Sequence, residues 1–279
     1  MRRGGTSKDN TALAKFITSL GSLNSYGSTV LQTKKALDTN STKSLRQDND
    51  DVAIYTDALN GIKAIQKIGF TVDRIIAINK EFKSDSEEEP NMPGHLRNAY
   101  YNEDDRIAII VDQNTQQAYY PPEVISRMDL ENIVNEFNDS EKTEEDAWKV
   151  FAKLSKLQPF QDGNKRTALI AANAALNTWE KENYLVLPFN DLDRVEFTIN
   201  LMRYYIAADS EEENKVFKKM ISTLPTQREV LLHKPISDDL NELDNVKTTV
   251  IKSMFRKHKD RWLFYHSKKS YKRQYNQRL

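Results

Sequence analysis

Apolar residues recur at helical spacing along most of this chain, and this pattern constrains its fold more than any other feature. Side chains three and four positions apart share one face of an α-helix, so each such segment has one face to bury. The pattern predicts a mostly α-helical chain with eight helices: Thr11–Leu20, Asp51–Ile68, Thr71–Glu81, Leu130–Asn138, Glu144–Leu157, Thr167–Lys181, Asp191–Ala208 and Glu211–Leu224.

One pair of short β-rich runs interrupts the helical pattern. Ile107–Val111 and Gln117–Tyr120 are rich in β-branched and aromatic residues, and the turn-forming residues Asp112–Thr115 separate them. This arrangement predicts a small β-hairpin, although a buried two-stranded ribbon would give the same pattern. Pro121 and Pro122 lack a backbone N–H, so we expect them to end the second strand.

The residues Asp162–Arg166 combine an acid, a glycine, an amide and two cations within five positions, just before a predicted helix. Gly163 permits a backbone conformation in which neighbouring N–H groups turn toward one point. The start of a helix adds free N–H groups and the positive end of its dipole, which favour a phosphate. Lys165 and Arg166 add charge, and Asp162 is suited to a Mg²⁺ ion that bridges phosphates.

A purely structural interpretation of the same five residues stays open. Asp-Gly-Asn is an ordinary turn sequence, and Asp162 is suited to cap the following helix. Lys165 and Arg166 would then be solvated cations without a ligand. Spacing alone does not separate this interpretation from phosphate binding.

The run Gln158–Arg166, Gln-Pro-Phe-Gln-Asp-Gly-Asn-Lys-Arg, resembles the motif of the Fic family, His-x-Phe-x-Asp/Glu-Gly-Asn-Gly/Lys-Arg, at every position except the first. Members of that family typically transfer AMP from ATP to a hydroxyl side chain of a target protein. The death-on-curing branch, whose motif also runs Asn-Lys-Arg-Thr-Ala, transfers a phosphate instead. The resemblance covers roughly Ser28 to Tyr205 and implies the mostly α-helical Fic fold, with the hairpin as its flap.

The resemblance also implies roles for individual residues. Asp162 would hold Mg²⁺, Phe160 would anchor the loop in the core, and Arg166 would grip a phosphate of ATP. The flap near residues 97–120, entered through Pro93–Arg97, would align a segment of a target protein by main-chain pairing. The nucleotide-binding residues implied in this way are Gly163, Asn164, Lys165 and Arg166.

The first departure from the family motif concerns the general base. The family's histidine takes the proton of the attacking hydroxyl, whereas Gln158 has no titratable proton near neutral pH. We therefore expect the protein to bind ATP and to transfer AMP weakly or not at all. A purely structural interpretation is that Gln158 only ends the preceding helix and has no chemical role. The implied catalytic positions are Gln158, Asp162, Asn164 and Arg166. The motif contains none of the four histidines of the chain, His95, His233, His258 and His266.

Two further departures bear on the reaction and its regulation. Many AMP-transferring members have a second arginine that holds the γ-phosphate, and Leu169 stands at that place. Together with Lys165 in place of the usual glycine, this favours the death-on-curing branch and keeps phosphate transfer as an alternative. Many members also have an inhibitory helix with a glutamate; its nearest match is Ser28–Thr33, where Gln32 replaces that residue. An ordinary surface helix turn would look the same.

Charge is distributed unevenly, although the whole chain is formally neutral. Residues 246–279 contain eleven Lys and Arg against one Asp, a net charge of +10, so the remainder carries −10. Interleaved aromatic residues would allow nucleic acid to bind this tail through phosphates and stacked bases. Docking on the acidic body or on an acidic partner is favoured, because the region has helical character. A non-catalytic interaction protein that uses the flap and the tail is a further alternative.

Three regions are expected. Residues 1–50 would form a helical region with a degenerate inhibitory helix, 51–224 the Fic domain, and 225–279 a basic helical extension. The chain has no cysteine, which excludes disulfides and thiolate metal sites and fits the cytoplasm. The polar N-terminal residues lack the apolar run of a signal peptide, and no membrane span is expected.

Overall fold

A computed structural model of the protein describes residues 9–24, 26–47, 49–66, 69–83 and 92–236. All of them lie in the first of two units, residues 1–237 and 238–279. The predictions for the tail at 246–279, including His258 and His266, therefore concern residues outside the described part. The described residues form ten α-helices: α1 Thr11–Gly21, α2 Val30–Thr39, α3 Asn49–Ile65, α4 Val72–Lys80, α5 Arg127–Asp139, α6 Glu144–Leu157, α7 Asn164–Ala175, α8 Asp191–Ile206, α9 Ser210–Ile221 and α10 Arg228–His233.

The prediction of a mostly α-helical chain is confirmed, and seven of the eight predicted helices are present with ends shifted by at most three residues. The helix α6 has the predicted bounds because local residues set both of its ends. Thr143 and Asp146 form a capping box at its start. At its end Gln158 adopts a left-handed conformation, with φ of 50°, and its N–H donates to Leu154 O.

The predicted helix at Thr167–Lys181 is present, but it begins three residues earlier and ends six residues earlier than predicted. The observed helix α7 begins at Asn164, because Gly163 turns the chain into the helix with φ of 74°. It ends at Ala175, because Asn177 adopts a left-handed conformation with φ of 49°. The N–H groups of residues 177 and 178 then bond back to Ala174 O and Asn173 O, as in a Schellman motif.

Two observed helices, α2 and α10, were not among the eight predicted from helical spacing. In α2 only Thr33 and Ala36 are buried, so its apolar period is weak. The shorter helix α10 has six residues, and a cation from α1 caps its C-terminal end. Lys15 Nζ donates to Leu231 O at 2.7 Å and to Leu232 O at 3.2 Å.

The hairpin is confirmed, with strands β1 Ile109–Asp112 and β2 Gln117–Tyr119. Ile109 pairs with Tyr119 in antiparallel register, and a bulge follows at Val111. β2 ends just before the two prolines, as expected. The Ile110 side chain is 45% exposed, so the hairpin is not a fully buried ribbon.

The N-terminal helix α1 shares its core with the region from residue 51 onward. Phe16 of α1 stacks on Tyr184 with ring centroids 5.1 Å apart and meets the edge of Trp179 at 5.7 Å. The hydroxyl of Ser19 accepts the N–H of Leu187 at 2.7 Å. These contacts hold α1 against the segment that follows α7.

Buried tyrosines make the fold sensitive to alkaline pH. Burial raises the pKa of Tyr26, Tyr184, Tyr204 and Tyr205 well above the usual value. Near pH 10 the unfolded chain releases these protons, whereas the folded chain retains them. The contribution of these tyrosines to the free energy of unfolding is therefore fully present below about pH 10 and is lost as the pH rises above it. Each tyrosine should remove about 1.4 kcal/mol per pH unit.

Denaturant unfolding between about pH 8 and about pH 11 measures this loss. The Tyr184→Phe variant retains the ring that stacks on Phe16 but has no phenol proton. Its unfolding free energy should therefore fall less steeply than that of the parent. Identical slopes for the two proteins would contradict the assignment.

Candidate functional site

The loop at Pro159–Gly163 connects α6 to α7. Phe160 is 1% exposed and fixes the loop in the core, as predicted. Gly163 has φ of 74°, and a Cβ at this position would lie 2.5 Å from Phe82 Cδ2. Glycine is therefore required both by the backbone conformation and by the close approach of Phe82.

The N-terminus of α7 follows this loop directly. The first hydrogen bond of the helix runs from Thr167 N–H to Gly163 O at 2.8 Å. The three N–H groups before Thr167 therefore have no acceptor within the helix. No side chain caps α7 and its first turn contains no acidic residue, so Asp162 does not act as the cap considered above. Helix N–H groups and the dipole supply a partial positive charge here.

Arg166 is buried beside this helix end, with a side chain that is 2% exposed. Its guanidinium lies over the Phe82 ring, 4.9 Å from the centroid, and Nη2 donates to Asp162 Oδ2 at 3.3 Å. Among the described residues, Nε and Nη1 have no hydrogen-bond acceptor. The interpretation of Arg166 as a solvated cation was therefore wrong.

Asp162 is the acidic residue of the loop, and its side chain is 45% exposed. Its backbone carbonyl accepts from Asn79 Nδ2 at 2.9 Å, which fixes the loop to α4. In the described ranges, no group of three or more His, Cys, Asp or Glu residues is arranged to hold a metal ion. Mg²⁺ is often bound by one carboxylate together with phosphate oxygens. Asp162 fits that role when a phosphate supplies the other ligands.

The side chain of Asn164 holds the loop closed. Its Nδ2 donates to Phe160 O at 2.7 Å and to Gln158 Oε1 at 3.0 Å, and its Oδ1 accepts Phe160 N–H at 2.8 Å. All of these contacts are internal to the loop. The predicted part of Asn164 in an anion pocket would thus be carried by its backbone N–H, and its side chain serves the loop geometry.

Gln158 stands at the motif's first position, where its side chain is buried. Nε2 donates to Ser155 O, and Oε1 accepts from Asn164. Gln158 also ends α6, as the structural alternative held. In addition to ending the helix, Gln158 lies at the start of the loop and contacts Asn164, so ending α6 is not its only structural role.

Two residues near the end of α4 support the loop and were missed by sequence reasoning. Asn79 donates to Asp162 O and Thr167 Oγ1, and its Oδ1 accepts Gly94 N–H at 2.7 Å. Phe82 lies under Arg166. The sequence contains a signal for Asn79, because this polar residue lies next to Ile78 on the buried face of an amphipathic helix.

Arg97 joins the loop to the two ends of the flap. Its side chain donates to Gln158 O at 2.6 Å, to Asp105 O before β1 at 2.7 Å, and to Pro122 O after β2 at 2.9 Å. Its N–H donates to Pro159 O at 3.0 Å. Burial lowers the pKa of this guanidinium. The predicted element Pro93–Arg97 therefore lies between the flap and the loop.

The positions associated with the γ-phosphate and with inhibition are occupied by structural residues. Leu169 is fully buried in the core. Gln32 completes the capping box of α2, where its Oε1 accepts Thr29 N–H at 2.9 Å. Of the histidines in the described part, His233 ends α10 and His95 lies beside Asp105.

The protein has a mostly α-helical domain in which a loop that requires glycine leads into the N-terminus of α7. The buried Arg166 lies beside this helix end, and the hairpin is fixed next to the loop. Residues 69–176 match the model of the Fic/DOC family. This match agrees with the resemblance of the motif to the Fic family.

Solved structures of other proteins share the fold. A Fic domain containing signaling protein from Bacteroides thetaiotaomicron is 16% identical with a TM-score of 0.56, covering 80% of this chain and 84% of that one. A Fic family protein from Desulfovibrio desulfuricans G20 is 15% identical with a TM-score of 0.55, covering 86% and 67%. Fic-1 from C. elegans is 17% identical with a TM-score of 0.52, covering 76% and 61%. The chain thus spans less than two thirds of this C. elegans structure.

The curated proteins contain no match to this chain. Within the described residues, the helices are too short or too polar to cross a membrane.

Proposed function

We propose that this protein binds an ATP-type nucleotide at Asp162–Arg166 and is related to Fic enzymes that transfer AMP to hydroxyl side chains of target proteins. The observation that carries the proposal is the guanidinium of Arg166. It is buried at the N-terminus of α7, and its Nε and Nη1 have no acceptor among the described residues. A buried cationic donor without an acceptor is costly, and a phosphate oxygen would satisfy it.

The remaining groups of the loop complement such a phosphate. The N–H groups at the start of α7 would donate to its oxygens, and the positive end of the helix dipole would favour its charge. Asp162 would hold Mg²⁺ together with phosphate oxygens, and the ion would neutralise phosphate charge. Gly163 allows the close approach of the backbone, and Asn79 and Phe82 keep the loop in place.

Transfer of AMP by this site would be weak. Attack on the α-phosphorus requires the hydroxyl proton to leave, and an amide does not accept a proton near neutral pH. Gln158 Oε1 also already accepts from Asn164. Losing a general base typically lowers the rate by about a hundredfold to ten-thousandfold. Nucleotide binding depends on other residues and would persist.

Phosphate transfer is the second candidate, and the burial of Leu169 supports it. An AMP-transferring site of the usual kind would have an arginine there for the γ-phosphate, whereas this side chain belongs to the core. The nucleotide would then adopt another orientation. ATP labelled at the α-phosphate and ATP labelled at the γ-phosphate distinguish the two reactions, because each transfers a different phosphorus.

A non-catalytic interaction protein is the third candidate, and the exposed side chains of the hairpin region favour it. Ile110 is 45% and Tyr120 is 73% exposed, next to main-chain groups at the edges of a two-stranded sheet. A target segment could pair with such an edge. The basic tail at 246–279, which lies outside the described residues, would bind an acidic partner or nucleic acid.

Calorimetric titration with ATP and Mg²⁺ tests the nucleotide site. The Arg166→Met variant retains an apolar side chain next to Phe82 but loses the guanidinium donors. Because one charge-assisted hydrogen bond contributes about 1.5–3 kcal/mol, the Kd should rise by roughly 10-fold to 150-fold. The matched control is Arg203→Met, since Arg203 is exposed on α8. Unchanged affinity in both Arg166→Met and Asp162→Ala would refute the site.

A further inference from the structure

The stretch from Gly94 to Arg97 follows the loop side by side, in the opposite direction. Gly94 N–H donates to Asn79 Oδ1 at 2.7 Å, and Nδ2 of the Asn79 side chain donates to Asp162 O at 2.9 Å. Three residues later, Arg97 N–H donates to Pro159 O at 3.0 Å. One end of this stretch is therefore held near the end of the loop and the other end near its beginning.

His95 lies between these two anchored ends, and a buried carboxylate connects it to the loop. His95 Nε2 is 3.1 Å from Asp105 Oδ2. The Asp105 side chain is fully buried, and its Oδ1 accepts from Gln161 Nε2 at 2.7 Å. Gln161 is the motif residue just before Asp162. The carboxylate of Asp105 thus bridges an imidazole to the middle of the loop.

The pairing with Asp105 determines which nitrogen of His95 is free to accept a proton. A carboxylate accepts hydrogen bonds, so the neutral ring carries its proton on Nε2, and Nδ1 retains its lone pair. In the part of the chain that the structure describes, Nδ1 makes no hydrogen bond. The ring is 35% exposed, so it is accessible to an incoming group. An imidazole oriented by a carboxylate is a common arrangement for general-base catalysis.

We propose that His95, oriented by Asp105, is the proton acceptor for the AMP transfer that remains when position 158 is glutamine. The inference rests on the proposed function. The attacking hydroxyl oxygen forms a bond to the α-phosphorus of ATP while the bond from that phosphorus to the pyrophosphate oxygen breaks. Pyrophosphate leaves with the electron pair, and the hydroxyl proton passes to Nδ1 of His95. Asp105 is a positioning residue in this step.

Label transfer from α-labelled ATP with Mg²⁺ to the proteins of a cell lysate measures the step in the full chain. The informative variant is His95→Asn, because its amide can donate to Asp105 but does not accept a proton. We expect it to lower transfer by about a hundredfold or more, with unchanged Kd for ATP by calorimetry. His233→Ala changes an exposed histidine on α10 and is the matched control, with transfer at the parent rate.

Two further measurements separate a base from a structural residue. In the Gln158→His background the family position supplies the acceptor, so adding His95→Asn should cost little transfer there. Free imidazole should restore part of the activity of His95→Ala. Equal losses in both backgrounds, or parent-like transfer by His95→Asn, would overturn the proposal.

Measurements of ATP binding and label transfer by the parent protein distinguish a failure of the His95 proposal from a failure of the nucleotide site. If it binds ATP but transfers no label, the role of His95 is refuted and the nucleotide site stands. If it does not bind ATP, both proposals fail.

Discussion

Replacing Gln158 by histidine is expected to raise AMP transfer to target proteins by up to about a hundredfold, because a positioned general base contributes at most about ten-thousandfold and His95 is proposed to supply about a hundredfold in the parent. The change supplies a proton acceptor at the position where the Fic motif has its histidine. The groups assigned to nucleotide binding belong to Asp162–Arg166, and the Asn164 side chain that contacts Gln158 is not one of them. The Kd for ATP should therefore change little while the rate of transfer rises.

The local structure at position 158 is compatible with an imidazole. The residue has φ of 50°, and histidine is among the residues that tolerate the left-handed region. Gln158 Nε2 donates to Ser155 O, a bond that one ring nitrogen of histidine can reproduce. The other ring nitrogen would then be available as the acceptor. Asn164 Nδ2 also donates to Phe160 O at 2.7 Å, so it retains a partner when the Gln158 amide is replaced.

The experiment compares label transfer from α-labelled ATP with Mg²⁺ for the parent, Gln158→His and Gln158→Ala. The alanine variant removes the amide without adding a base, so it controls for changes in the packing around Ser155 and Asn164. We expect the histidine variant alone to gain activity. If Gln158→His binds ATP and neither it nor the parent transfers α-label, AMP transfer is excluded. γ-Labelled ATP would then test phosphate transfer.

The parts of this structure that sequence reasoning predicted well depend on neighbouring residues. Thr143 and Asp146 begin α6, and the hairpin turn is held by Asp112, whose carboxylate accepts from Asn114 N–H and the Thr115 hydroxyl. Such caps and turns involve residues within three positions of one another. Their bounds are therefore visible in the sequence.

The support of the loop depends on residues far apart in the chain, and the sequence did not reveal it. Asn79 meets Asp162 across 83 positions, and Arg97 meets Gln158 across 61. A motif shows which groups are present but not which of them are buried. Arg166 is the example, since solvation and burial were equally compatible with its place in the sequence and only packing on Phe82 decides between them.

Replacing Arg97 by methionine is expected to destabilise the fold by about 3 kcal/mol or more and to release the flap. The Arg97 side chain is fully buried and donates to three backbone carbonyls. Methionine fills much of the same volume but leaves Gln158 O, Asp105 O and Pro122 O without this donor. Each buried polar group left without a partner costs about 1–3 kcal/mol.

Denaturant unfolding measures the loss of stability, and hydrogen exchange locates it. The Ile125 N–H, which donates to Arg97 O at 2.9 Å, and the N–H groups of β1 and β2 should lose protection before those of α6. Arg97→Lys retains the charge, but one ammonium group does not reproduce the planar contact with three carbonyls. The stability of Arg97→Lys should therefore lie between that of the parent and that of Arg97→Met. The matched control is again Arg203→Met. A loss below about 1 kcal/mol for Arg97→Met, with unchanged flap protection, would show that backbone pairing alone holds the flap against the loop.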